Sequence, residues 1–155
     1  MAGQTADLGI RIGARLIDAV ILMIVQFAII VPIIIGAMFS DVSGFGFGWS
    51  IGTLVMQILV AALYIGYFAF LESSRGQTVG KMLLKLKTVG PDGGNPTMEQ
   101  ALKRNAWLAL SIVPIIGGLL QLAAIIYIMV TINSDPANRG WHDQFAGGTS
   151  VIRVG

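Results

Sequence analysis

Arg11-Ile-Gly-Ala-Arg15-Leu-Ile-Asp18 carries three charges straight into residues 19–40, a run without a charged side chain that is long enough to cross a bilayer. On a helix turning about 100° per residue, with Arg11 as zero, Arg15 falls near +40°, Asp18 near −20°, Leu22 near +20° and Gln26 near +60°. The polar side chains from Arg11 to Gln26 therefore share one stripe. Acyl chains cannot solvate a carboxylate, so that stripe has to face protein, a wet cavity or the membrane–water boundary.

Two more uncharged runs follow, 42–71 and 105–134. With 55% of residues hydrophobic and only 12% charged, against about 25% charged in soluble domains, the chain is expected to be an all-α polytopic membrane protein. The first run exceeds the roughly 7–15 residues of a secretory h-region and no small-x-small cleavage site follows it, so it reads as a retained helix. No cysteine is present, which excludes disulfides, thiolate chemistry and Cys-ligated metals. Basic residues are missing between Arg15 and Arg75. The loop at 40–50 is thus expected outside, and both its flanks, including the N-terminus, in the cytoplasm.

Taken in order, helix one is expected over about 12–39 with Pro32 inside it, and helix two over about 51–71, where Ala62-x-x-x-Gly66 would allow close helix approach. Glu72 beside Arg75 suggests an interfacial ion pair. The cytoplasmic segment 72–96 holds Gly76-Gln-Thr-Val-Gly-Lys81, one residue short of a phosphate-binding loop and with Met82 where Ser or Thr belongs, so nucleotide binding is rejected. Leu84-Lys85-Leu86-Lys87 alternates like a strand at the membrane surface, while Lys81, Lys85 and Lys87 equally suit contact with anionic lipid headgroups.

Thr97-Met-Glu-Gln100 has capping-box form and starts a helix. The third run would measure about 45 Å as one helix, too long for an upright span of a core near 30 Å. Pro114-Ile-Ile-Gly-Gly118 can break it, giving legs over about 97–113 and 115–133 and three to four crossings in all. One tilted helix would leave the tail, 134–155, outside. Two legs bring it back, where strand-like 149–154 can pair with 83–89, and two legs are the preferred expectation.

These residues together resemble the RDD family of bacterial membrane proteins. The likeness rests on Arg11-x-x-Ala14-x-x-Ile17-Asp18, Gly76-Gln-Thr-x-Gly80-Lys81-x-Leu-Leu-x-Leu-Lys87, Ala101-x-x-Arg104-Asn105 and Arg139-Gly-x-His142-Asp143-x-x-Ala146-Gly-x-Thr149, in order over nearly the whole chain. It implies a single membrane domain in the bacterial cytoplasmic membrane. It also implies that the family's one arginine and two aspartates are Arg11, Asp18 and Asp143, and a part in transport, in some members like sodium/proton exchange.

Asp18 has two readings. It pairs with Arg15 or Arg11 and fixes the helix, or it binds a monovalent cation or proton at the cytoplasmic mouth of a path lined by Gln26, Gln57 and Gln121. His142 beside Asp143 is a proton relay or a turn held by hydrogen bonds. Arg11, Asp18 and Asp143 are expected to form one hydrogen-bonded cluster, with Arg15 and His142 in the same polar patch, clamping the tail onto helix one. A lone histidine without cysteine gives no metal site, and no cofactor is implied. No nucleophile, base and orienting group share a local pattern, so an enzyme is not expected, and the basic segment lacks the aromatics of a nucleic-acid surface. The expected function is a small membrane transporter, an oligomer among membrane lipids. The alternative is a non-catalytic assembly or regulatory subunit of a larger membrane complex.

Overall fold

A computed structural model describes residues 3–39, 51–113 and 115–154. Residues 40–50, where an outer loop is expected, and Pro114 lie outside them. Among the described residues, three helices are long and apolar enough to cross a membrane. They are α1 (Leu8–Phe39), which runs through Pro32, α2 (Ile51–Arg75) and α5 (Gly117–Ser134). Leu16, Val20, Ile24 and Phe27 of α1 and Leu54, Ile58, Leu59 and Phe70 of α2 are exposed, as helices solvated by lipid require. The Ala62 and Gly66 pair also faces away from the chain: a Cβ added at Gly66 would meet nothing within 4 Å. Among the described residues it therefore brings no second helix close.

Between α2 and α5 come α3 (Val79–Leu83), β1 (Leu86–Val89), α4 (Met98–Asn105) and a 3-10 stretch, Ala106–Ile112. The capping box forms at α4, with the Gln100 N–H donating to Thr97 Oγ1 at 3.2 Å and the Thr97 N–H to Gln100 Oε1 at 2.9 Å. The third apolar run does break near Pro114–Gly118, but its first leg is not a continuous α-helix. At about 1.5 Å per α-helical and 2.0 Å per 3-10 residue, α4 and the 3-10 stretch together rise roughly 26 Å, nearly the 27 Å or so of α5. The two limbs make a hairpin whose tight end depends on Gly117, where a Cβ would lie 2.8 Å from the carbonyl oxygens of Leu110 and Ser111.

The tail forms α6 (Trp141–Phe145) and β2 (Ser150–Arg153), and β2 pairs antiparallel with β1 from Leu86↔Arg153 to Val89↔Ser150. Thr5 bridges to Ile152, so the N-terminus, the segment after α2 and the C-terminal tail all gather at one end of the helices. Ala6, Ala14, Leu86 and Val151 form a small apolar cluster there. A second cluster, Leu22, Phe68 and Leu108 with Trp107 and Tyr64 against it, lies further along α1 and α2. Arg15 and Asp18 fall between Ala14 and Leu22 on α1, and the buried polar groups occupy that intermediate level.

α3 lies directly on α1. A Cβ at Gly80 would come within 2.1 Å of the Ala14 carbonyl oxygen and 3.0 Å of Asp18 Cγ, and neither backbone can yield cheaply. Gly80→Ala is expected to cost roughly 3 kcal/mol, the upper end for overpacking, and to lower the melting temperature in detergent by about 6–12 °C. An unchanged melt would refute that contact.

Candidate functional site

Asp18 is fully buried and accepts three hydrogen bonds. Tyr67 Oη donates to Oδ1 at 2.8 Å, the Gly80 N–H to Oδ1 at 2.8 Å and Thr78 Oγ1 to Oδ2 at 2.5 Å. Thr78 is also the N-cap of α3. Asp18 thus ties α1 to α2 and to the first turn of α3, and its ion pairing with Arg11 or Arg15 is not formed.

Arg11 instead reaches Asp143 Oδ2 at 2.5 Å and donates to the Asn138 carbonyl, so it does clamp the tail onto α1. Asp143 further accepts from Arg104 Nη1, from the Gly140 N–H at 3.0 Å and from Thr149 Oγ1 at 3.3 Å. Arg104 Nε in turn lies 3.4 Å from Glu72 Oε2. Glu72 is fully buried and pairs with Lys81 Nζ at 2.5 Å and with Asn105 Nδ2 at 3.1 Å, not with Arg75, which is exposed. Asn105 Oδ1 completes the chain by accepting from Arg15 at 3.0 Å. One continuous network therefore joins α1, α2, α3, α4 and α6. Two carboxylates sharing Arg104 satisfy the rule that charges leave water only when paired and hydrogen-bonded.

Lys81 corrects the headgroup expectation: it is only 7% exposed and spends its ammonium on Glu72 and on Thr88 Oγ1 at 2.6 Å. Burial pulls it down to about 8, against the opposing attraction of Glu72. Lys85 is exposed and Lys87 half-buried. Asp143 is held below the usual carboxylate range because the attraction of Arg104 and of Arg11 outweighs its desolvation.

His142 is 8% exposed, with Nε2 3.7 Å from Asp143 Oδ1 and Nδ1 unpartnered among the described residues. Burial, helped by the positive charges of Arg104, Arg11 and Arg15, lowers it to about 3, so the ring is neutral and suits a fixed place in the turn rather than titration near neutrality. The unfolded chain takes up a proton near 6.5 and the folded one does not. Stability is therefore expected to fall as pH drops below 6.5, by about 1.4 kcal/mol per unit. Melting between pH 7.5 and 5 should show this slope, and His142→Gln should flatten it. A slope of equal size in the variant would disprove the assignment.

Arg15 stacks over Phe68, its guanidinium carbon 3.5 Å from the ring centre, and lies 5.4 Å from that of Trp107. It borders a cavity of about 350 Å³ walled by α1, α2, the 3-10 stretch and α5, with Arg11, Asp18, Lys81, Arg104 and Asn105 also on its lining. The expected glutamine path does not surround Asp18. Gln26 accepts from Tyr64 Oη at 3.0 Å, Gln57 Oε1 is buried without a partner among the described residues, and neither they nor Gln121 line the cavity.

Glu72, Lys81 and Arg104 are the members that pattern reading misplaced or passed over. Helical spacing carries a signal for two of them. Ala101, Arg104 and Asn105 are the buried residues of α4, at the i, i+3, i+4 spacing of one face, and Glu72 follows Phe68 and Ala69 on the buried side of α2.

No curated protein and no solved structure matches the chain. The model of the RDD family matches residues 5–147, which take in α1 through α6 and so every charged residue of the network. With three membrane-length helices and the Arg11–Asp143 clamp in place, the chain belongs to the RDD family.

Proposed function

We propose that the protein is a small membrane transporter that exchanges monovalent cations or protons, with Asp18 as its ion- or proton-binding carboxylate. The observation that carries this reading is a fully buried carboxylate on the wall of a cavity bounded by the membrane-crossing helices. Ionisable groups at such places mark ion and proton pathways by default. The basic residues gathered at the end that holds the tail suit a cytoplasmic placement of that end, in a bacterial inner membrane. A chain with three membrane-length helices supplies few walls, which favours an oligomer.

Protein in liposomes carrying a sodium or potassium gradient, with an internal pH dye, tests the proposal. The expected result is cation-driven proton flux that falls at least tenfold in Asp18→Asn and persists in His142→Gln. Undiminished flux in Asp18→Asn removes Asp18 from the mechanism, and no flux under any gradient rejects exchange. The subunit reading draws on a separate observation. α1 and α5 touch only lightly, leaving a side open to a partner helix.

A further inference from the structure

The polar floor beneath the cavity is unbalanced. Four cations, Arg11, Arg15, Lys81 and Arg104, meet three carboxylates, Asp18, Glu72 and Asp143, while His142 is neutral. Each carboxylate is fully buried; Arg11, Lys81 and Arg104 share their ion pairs between Glu72 and Asp143, and Asp18 accepts only from neutral donors. Arg15 forms none among the described residues: it has Asn105 Oδ1 and two aromatic faces. Arg15 is therefore the cation of this floor that no carboxylate holds among the described residues, and it borders the cavity.

The walls above it are apolar. Leu8, Ile12 and Leu16 of α1 face Ile125, Met129 and Ile132 of α5, and Leu16 and Ile125 are themselves exposed at the outer surface. With Leu16 and Ile125 both on the lining and exposed on membrane-crossing helices, the cavity reaches the lipid-facing surface between α1 and α5. A ligand entering there comes from the bilayer. The volume is at the low end of the roughly 300–1,000 Å³ of small-molecule sites, room for one chain rather than two.

We propose that this cavity binds a single-chain amphiphile with one negative charge, its carboxylate on the Arg15 guanidinium and its tail between α1 and α5. Arginine's planar fork matches a carboxylate in two parallel hydrogen bonds, and a monoanion neutralises the excess charge. The substrate class so named rests on the transport reading, but binding is measurable without transport.

Trp107 lines the cavity and reports occupancy. In a W49F/W141F background in uncharged detergent, nitroxide-labelled stearic acid is titrated against its methyl ester. Saturable quenching by the acid, at least tenfold tighter than by the ester, with the difference lost in Arg15→Gln, is the expected result. Equal affinity for acid and ester, or unaltered quenching in Arg15→Gln, overturns the proposal. If Arg15→Gln does not fold, Ile125→Trp fills the mouth and leaves the network intact; it has to abolish saturable quenching, and retained quenching overturns the site. A dimer whose Trp107 is shielded from both probes would identify a second copy as the occupant and reject the amphiphile. Cation-driven flux without amphiphile binding rejects this ligand and leaves the exchange reading standing, whereas binding without flux does the reverse.

Discussion

Arg104→Ala is expected to destabilise the polar end of the protein by about 3–5 kcal/mol, the cost of removing one partner from a buried ion pair. Arg104 is 4% exposed and bridges Glu72 and Asp143, both fully buried. Its loss leaves Glu72 with Lys81 and Asn105, and Asp143 with Arg11 and the Gly140 N–H, so each carboxylate keeps a share of its compensation. The melting temperature in detergent should drop by about 6–20 °C. Asp143→Asn in that background would strand Arg11 in turn, so Arg104→Ala with Asp143→Asn is expected to melt no higher than Arg104→Ala alone. A single variant melting within 3 °C of the parent would show that the network contributes little.

Asp18→Ala is expected to rank next, at roughly 3–5 kcal/mol, because it strands the Tyr67 hydroxyl, the Thr78 hydroxyl and the Gly80 N–H away from water, each at a cost of about 1–3 kcal/mol. Asp18→Asn should cost much less, roughly 1–2 kcal/mol. Its oxygen can keep the Tyr67 and Gly80 bonds if its nitrogen turns to Thr78, whose hydroxyl can rotate to accept. The contrast separates the fold from the charge: alanine tests the latch, and asparagine tests ionisation with the latch kept. Equal destabilisation by both would show that charge, not hydrogen bonding, holds α3 on α1.

The two variants also separate Asp18 from the clamp that it is expected, on sequence, to share. Arginine and the two aspartates read from the sequence as one cluster, yet Arg11 and Asp143 meet while Asp18 is held by neutral donors. An N–H at the start of a helix and two hydroxyls stabilise a carboxylate without a second charge, and such donors leave no mark in a charge pattern.

What the sequence alone determined was whatever depends on short spacing. Uncharged runs located the three spans, Pro114-Ile-Ile-Gly-Gly118 located the break, Thr97 and Gln100 the start of α4, and alternation the strand that pairs with the tail. Each follows from backbone geometry or from the cost of charge in lipid, which act within a few turns of chain. The tertiary structure decided which charge answers which. Lys81 beside an apolar run looks the same whether it meets headgroups or Glu72, and only the approach of α3 to α1 and α2, permitted by Gly80, turns it inward. Hydropathy records where an ionisable group sits along the chain; its partner is set by residues tens of positions away, brought near by packing.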